Sequence, residues 1–241
     1  MSNTRHLTHG LSVFLLLAII FIPSGYAAEK DPLEKYNRAV HSFNDKVDRV
    51  TLKPVAKVYN KVLPNRVKKS VGNFFNNLEE IPTFVNDVLQ LKFNYALSTA
   101  WRFAINTTVG IGGLFDPADY LGIQRKPEDF GLTLAHYGWR ESSYFVLPLL
   151  GPSTIRDTVA LPVNWFTSVY PYLDSPYRYG LTGSMLVSRR AQFLDIERIV
   201  DQATLDKYVF TRDAYLQRRE FLINQKTSTE EIDPYLEDDF E

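Results

Sequence analysis

The chain has 241 residues, a formal net charge of −1 and no cysteine. The absence of cysteine excludes disulfides, a thiolate nucleophile, a cysteine-ligated metal and an acylated N-terminal cysteine. The chain has no basic tract that would indicate nucleic acid as a partner. Its plentiful aromatic residues (16 Phe, 14 Tyr and 3 Trp) predict an ordered protein with a large core.

The N-terminus is typical of a secretory signal peptide. A basic residue precedes the apolar stretch Leu11–Ile22, and a small residue, Ala27, marks the expected cleavage site. The apolar stretch is shorter than the about 20 residues of a membrane-spanning helix. We predict a cleavable signal peptide over 1–27, a helical domain over 28–227 and an acidic, disordered tail over 228–241. An uncleaved N-terminal anchor is the alternative.

Apolar residues that recur every three or four positions predict successive amphipathic helices along the domain. Asp31 is the expected N-cap of the first helix, with Pro32 at its first position and Glu34 at its third. Further helices are predicted to begin near Pro54, Asn65 and Pro82, and two more run from Pro176 to about Val200 and from Asp206 to Asn224.

The segment Lys92–Asn106 is apolar around most of its girth, which is typical of a helix that is buried in protein or faces lipid. Gly110, Gly112 and Gly113 then interrupt the helical pattern, and Leu114–Phe130 is predicted to form a loop with short turns. No Lys-Ser/Thr pair follows these glycines, which favours a bend or hinge over a phosphate-binding loop. We predict that they form a hinge or gate.

The stretch Tyr144–Tyr170 is apolar but repeatedly broken by proline, which predicts short helices packed in protein or lying at an interface. Arg156 and Asp157 are the charges in this stretch. They could form a local ion pair at a helix N-terminus capped by Ser153. Alternatively, they could line a lipid path and meet a lipid head group, since charges in apolar surroundings persist only when paired or used. The fold class predicted for the whole chain is all-α.

No catalytic motif is visible: the chain has no G-x-S-x-G, no H-E-x-x-H and no P-loop. His136 has no neighbouring histidine or cysteine and is interpreted as a structural residue rather than a metal ligand. We therefore predict a protein that is not an enzyme, with no catalytic residues, no metal and no cofactor.

Four parts of the chain carry longer motifs. Asp31–Arg38 reads DPLEKYNR, Asn106–Asp116 reads NTTVGIGGLFD, Glu128–Gly138 and Tyr144–Asp157 form a central signature, and Arg212–Arg219 reads RDAYLQRR. In order and spacing, from Asp31 to about Asn224, they resemble the MlaA (VacJ) family of outer-membrane phospholipid-transport proteins.

The resemblance implies a ring-like bundle of short amphipathic helices, embedded in the inner leaflet of the outer membrane and pierced by a polar-lined passage. Such proteins associate with trimeric porins. They remove phospholipids misplaced in the outer leaflet and pass them to a soluble periplasmic carrier of the MlaC type, which maintains lipid asymmetry. No chemical bond is changed.

The chain departs from the family pattern in two places. Many members carry an acylated N-terminal cysteine, which this sequence lacks. Its helices and partners are therefore expected to attach it to the membrane. The segment Trp139–Ser143 replaces a glycine-rich turn. The alternative function is a soluble periplasmic adaptor that binds envelope proteins without moving lipid. A phospholipase is a distant third, because no nucleophile and base are visible.

Overall fold

A computed structural model describes residues 31–225, so the predicted signal peptide and acidic tail lie outside the described residues. These residues form mainly helices. In chain order the elements are α1 (Glu34–Val50), α2 (Leu52–Val62), α3 (Asn65–Leu78), α4 (Glu80–Leu89), α5 (Phe93–Thr108), α6 (Pro117–Tyr120), α7 (Phe130–His136), β1 (Tyr144–Leu147), β2 (Gly151–Thr154), α8 (Ile155–Thr167), a 3₁₀ turn (Tyr170–Tyr172), α9 (Ser175–Ala203) and α10 (Lys207–Gln225).

The predicted helical class is confirmed, but the expectation of short helices from residue 144 onward is wrong for its first part. Strands β1 and β2 pair antiparallel there, with Tyr144 opposite Thr154. Side chains of α1 stabilise this hairpin, because Asn37 accepts from the Val146 amide at 2.9 Å and Asn44 donates to the Leu147 carbonyl at 2.9 Å. These partners lie about a hundred positions upstream, where no local pattern reveals them.

Two predicted helix caps are also corrected. Helix α1 begins at Glu34 without a side-chain cap, and Asp31 is instead buried and accepts from Asn37 at 2.7 Å and from the Tyr208 hydroxyl. Helix α8 is capped by Thr154, not Ser153, since the Thr154 hydroxyl accepts from a backbone amide of the first turn. The first cap was misassigned because the Asp31 carboxylate accepts from Tyr208, a tertiary contact, and not from the first turn of α1.

The helices pack in a closed circuit. Helix α9 packs on α2 and α3, α3 on α4 and α5, and α4 on α7 and α8; α8 then returns through the 3₁₀ turn to α9. This arrangement agrees with the predicted ring-like bundle. A small apolar cluster of Tyr144, Val146 and Tyr208 joins the hairpin to α10.

The amphipathic helices turn polar faces inward. Helix α5 buries Thr99 and Arg102, while its Phe93, Leu97 and Trp101 side chains are more than half exposed. Among residues 31–225, buried polar and charged residues outnumber buried apolar ones. The apolar stripe of Lys92–Asn106 therefore lies on the surface of the protein and not in its interior, and its contact with lipid stays a prediction.

Across residues 31–225, no helix combines the length and apolar character needed to cross a membrane.

Candidate functional site

A buried ionic cluster lies at the centre of α5. Arg102, 2% exposed, donates to Glu80 at 3.1 Å, to Asp116 at 2.9 Å and to the carbonyl of Ile123. Asn106, one turn later, donates to Asp116 at 2.9 Å. The cluster holds the loop after the glycines against α4 and α5, and a buried cation with this many acceptors is satisfied by the protein itself.

The two carboxyl groups of this cluster differ in their acidity. Burial raises the pKa of Glu80, and the charges of Arg125 and Arg102 offset only part of that effect. Burial also acts on Asp116, but hydrogen bonds from Asn106 and Arg102 outweigh it and hold the pKa of Asp116 below its usual value. Asp116 is therefore the firmly ionised partner of Arg102 at neutral pH.

The predicted hinge glycines end helix α5 in a tightly bonded turn. Gly112 and Gly113 have φ of 68° and 87°, in the left-handed region that favours glycine. The Gly113 amide donates to the Asn106 carbonyl at 2.8 Å, and a Cβ on Gly110 would overlap that same carbonyl. A Cβ on Gly113 would lie 2.6 Å from Cβ of Asn77, whereas one on Gly112 would meet open space. Of the three glycines, Gly112 is thus the one with room around it.

The turn exposes apolar side chains. Val109, Ile111 and Phe115 are 70%, 64% and 55% exposed. Ile111 also has a positive φ of 54°, which is rare for a β-branched residue. A strained backbone at an exposed turn fits a functional element. The gate role of Gly110, Gly112 and Gly113 stays a prediction.

Arg156 and Asp157, the predicted lipid-path residues, lie at the start of α8 and contact each other. Arg156 is 1% exposed and donates to Asp157 at 3.1 Å and to the carbonyls of Trp139 and Arg140 at 3.2 and 2.8 Å. This geometry fits the local ion pair, the other interpretation made from the sequence. Contact of either residue with lipid stays a prediction.

Asp157 has further partners that the sequence analysis did not single out. Arg219 of α10 donates to Asp157 at 2.8 Å and to Asp129 at 2.6 Å, and the Tyr215 hydroxyl donates to Asp157 at 2.8 Å. Gly131 of α7 lies so close that a Cβ there would overlap an oxygen of Asp157. All five residues lie within the quoted motifs, and this shared membership was the signal that could have indicated their contact.

The charges in this second cluster reinforce one another. Burial alone would raise the pKa of Asp157, but Arg219, Arg156 and the Tyr215 hydroxyl together lower it. Burial and the charge of Asp157 raise the pKa of the Tyr215 hydroxyl. At neutral pH, Asp157 is therefore ionised and the Tyr215 hydroxyl keeps its proton. The cluster connects α7, α8 and α10 through these hydrogen bonds and ion pairs.

A polar recess opens between α2, α3 and α9. Its volume is about 390 Å³, and its lining is rich in side-chain amides and lysines. The lining residues are Asn60, Asn65, Lys68, Lys69, Gly72, Asn73, Asn76, Ala191, Gln192 and Asp195.

Two contacts connect the recess with its surroundings. Asn60 donates to the Ala191 carbonyl at 2.9 Å and ties α2 to α9. Asn73 donates to the Leu114 carbonyl at 3.3 Å and thereby touches the turn that follows the hinge glycines. The recess and the glycine turn are therefore neighbours.

Comparison with known proteins places the chain in a family. The family model described as MlaA lipoprotein matches residues 29–222. The intermembrane phospholipid transport system lipoprotein MlaA of Escherichia coli is 34% identical over 218 residues, 89% of this chain and 86% of that protein. A Rickettsia typhi protein is 36% identical over 192 residues, 79% and 76% of the two chains. A solved structure concerned with the structural basis for maintenance of bacterial outer membrane lipid asymmetry matches with a TM-score of 0.70 and 33% identity, over 80% of this chain and 99% of that one. The chain belongs to the MlaA lipoprotein family.

Proposed function

We propose that this protein removes mislocalised phospholipids from the outer leaflet of the outer membrane and passes them to a soluble periplasmic lipid carrier, so that the membrane stays asymmetric. Two similarities support the proposal. The Escherichia coli relative is named for an intermembrane phospholipid transport system. The matching solved structure concerns outer membrane lipid asymmetry.

The observation that carries the proposal is that the helices turn polar faces into the protein and apolar faces outward. Helix α5 presents Phe93, Leu97 and Trp101 outward, and α2 presents Val58 and Val62, each more than half exposed. Large exposed apolar patches mark membrane or protein contacts rather than water-facing surface. Because the interior is polar, a head group can enter the protein while acyl chains remain outside.

The proposed location is the inner leaflet of the outer membrane, at its periplasmic face. Helices with one apolar face lie in the plane of a leaflet and do not need to span the bilayer. The sequence contains no cysteine. The exposed apolar faces are therefore the proposed membrane attachment, in place of an acyl chain.

The proposed partners are phospholipid, trimeric outer-membrane porins and a carrier of the MlaC type. No covalent step belongs to the proposed cycle, because lipid transfer between membrane and carrier leaves every bond intact. The proposed role is that of a transport component and not of an enzyme.

Fractionation combined with a lipid measurement tests the proposal. Cells that lack the gene should expose more phosphatidylethanolamine to a membrane-impermeant amine reagent, and the wild-type gene should reverse this. The protein should stay with the outer membrane until detergent is added. Release by osmotic shock with unchanged amine labelling would instead support a soluble periplasmic adaptor and overturn the proposal.

A further inference from the structure

The lining of the polar recess between α2, α3 and α9 contains two cationic side chains, Lys68 and Lys69. Lys68 is half-buried and Lys69 is exposed, and neither forms an ion pair with any residue of the range 31–225. Lys53 and Arg190, on the two other helices of the recess, are paired with Glu197 at 2.8 and 2.7 Å. Glu197 is therefore already occupied by these two cations and does not neutralise the lysines of the recess.

The acidic residue of the lining does not neutralise them. The Asp195 side chain is 82% exposed, and its carboxylate lies 3.6 Å from Arg198, on the same turn of α9. Side-chain amides supply additional hydrogen-bond donors, since each carries two N–H groups. Asn65, Asn76 and Gln192 belong to the lining and are exposed to solvent. The recess thereby combines positive charge with several donors, which is the chemistry that binds an oxyanion.

The same helices carry apolar residues beside the recess. Val58 and Val62 of α2, Val67 of α3, and Phe193 and Ile196 of α9 are all exposed. An anion site bordered by apolar helix faces suits an amphipathic ligand better than a free inorganic ion. The volume of about 390 Å³ is also within the range of about 300–1,000 Å³ that is usual for ligand sites.

We propose that this recess binds the phosphate group of a phospholipid. Lys68 and Lys69 contribute the positive charge, and the amides of Asn65, Asn76 and Gln192 donate hydrogen bonds to the phosphate oxygens. The proposal rests on the proposed lipid-transport function and adds to it a binding site with named residues. Through the contact from Asn73 to Leu114, a lipid bound in the recess would lie against the turn that follows the hinge glycines.

Binding measurements on the full-length protein in detergent test the site. The variants are Lys68→Gln with Lys69→Gln, which removes the charge, and Lys57→Gln with Lys61→Gln as the matched control. The control lysines lie on α2, are exposed and do not line the recess. The probes are a phospholipid with two short acyl chains, a diacylglycerol of the same chain length and inorganic phosphate.

We expect the Lys68 and Lys69 double variant to bind the short-chain phospholipid at least about tenfold more weakly, since one lost charge-assisted hydrogen bond corresponds to roughly that factor in Kd. The control variant should bind it like the wild type, and diacylglycerol binding should not differ among the three proteins.

The other outcomes overturn different parts of the argument. Equal phospholipid binding by all three proteins would overturn the site and leave the proposed transport function standing. Wild-type protein that binds no phospholipid would overturn both. Phosphate bound as tightly as phospholipid would identify an inorganic anion site and overturn the lipid assignment.

Discussion

Reversal of the charge on Arg156 is the sharpest test of the second ionic cluster. The Arg156→Glu variant introduces a carboxylate at a side chain that is 1% exposed and that bonds Asp157 at 3.1 Å. It also removes the donors for the carbonyls of Trp139 and Arg140. The new carboxylate would therefore lie beside the ionised carboxylate of Asp157, where the remaining cation, Arg219, is already bound to Asp157 and Asp129.

The cost follows from the burial. Breaking a buried ion pair destabilises a protein by about 3–5 kcal/mol, which is a large part of a total stability of about 5–15 kcal/mol. For a domain of this size, each kcal/mol lowers the Tm by about 2–4 °C, so we expect a decrease of about 6–20 °C. Arg156→Met should cost less, because Asp157 keeps its bonds from Arg219 and Tyr215.

The assay compares Tm in detergent, steady-state abundance and lipid asymmetry for the wild type, Arg156→Met and Arg156→Glu. A charge-reversed protein that melts within about 2 °C of the wild type but loses lipid transport would refute the reasoning, and it would support the lipid path predicted for Arg156 and Asp157. The double reversal with Asp157→Arg should not restore stability, because the new cation would face Arg219. Full rescue would mean that Arg156 and Asp157 act as an isolated pair.

Three further predictions concern other parts of the molecule. Gly112→Ala, at a position with φ of 68° and open space, should impair lipid asymmetry with only a small loss of abundance. Gly113→Ala, which adds a collision with Asn77 to the same backbone strain, should lower abundance much more; equal loss of abundance for both would contradict the gate. Leu97→Glu, on an exposed apolar face, should leave far-UV circular dichroism unchanged but release protein from membranes at high salt; unaltered sedimentation would contradict lipid contact there. Because the pKa of Asp157 is lowered in the folded protein, its contribution to stability is present above about pH 4 and is lost as the pH falls through the folded value. Arg219→Met should therefore move acid unfolding, followed by tryptophan fluorescence, to higher pH, and an unchanged midpoint would show that Arg219 does not control Asp157.

Local patterns predicted most of the helices. Apolar periodicity and the breaks at Pro54 and Pro82 located α2 and α4 within a few residues, because helix periodicity and proline chemistry are local properties. The same reasoning misassigned Asp31 as a cap. Its carboxylate instead accepts from Asn37 and from Tyr208, and the contact with Tyr208, 177 positions away, leaves no trace in a window of a few residues.

The candidate site divides in the same way. The positive φ of Gly112 and Gly113 was foreseeable, since glycines interrupting a helical pattern indicate special backbone angles. The bond from Arg219 to Asp157 spans 62 positions. Asp157 stands out in the sequence because its neighbours are apolar, but Arg219 alone resembles an ordinary surface charge. The direction in which α5 faces was equally hidden, because a helix that is apolar nearly all round gives no preferred face until its neighbours are known.

The contact between Asp31 and Tyr208 joins positions 177 residues apart, and this separation constrains the order in which the parts of the protein can fold. Helix α1 is synthesised first, yet the buried partners of its N-terminal end come from β1 and α10. Contacts of such long range form late, after the entropy of closing a large loop has been overcome. Until the last helix arrives, the carboxylate of Asp31 and the side chain of Asn37 lack partners that bury them in the finished fold. A chain shortened before Tyr208 would stay in that open state, where aggregation and proteolysis compete with folding.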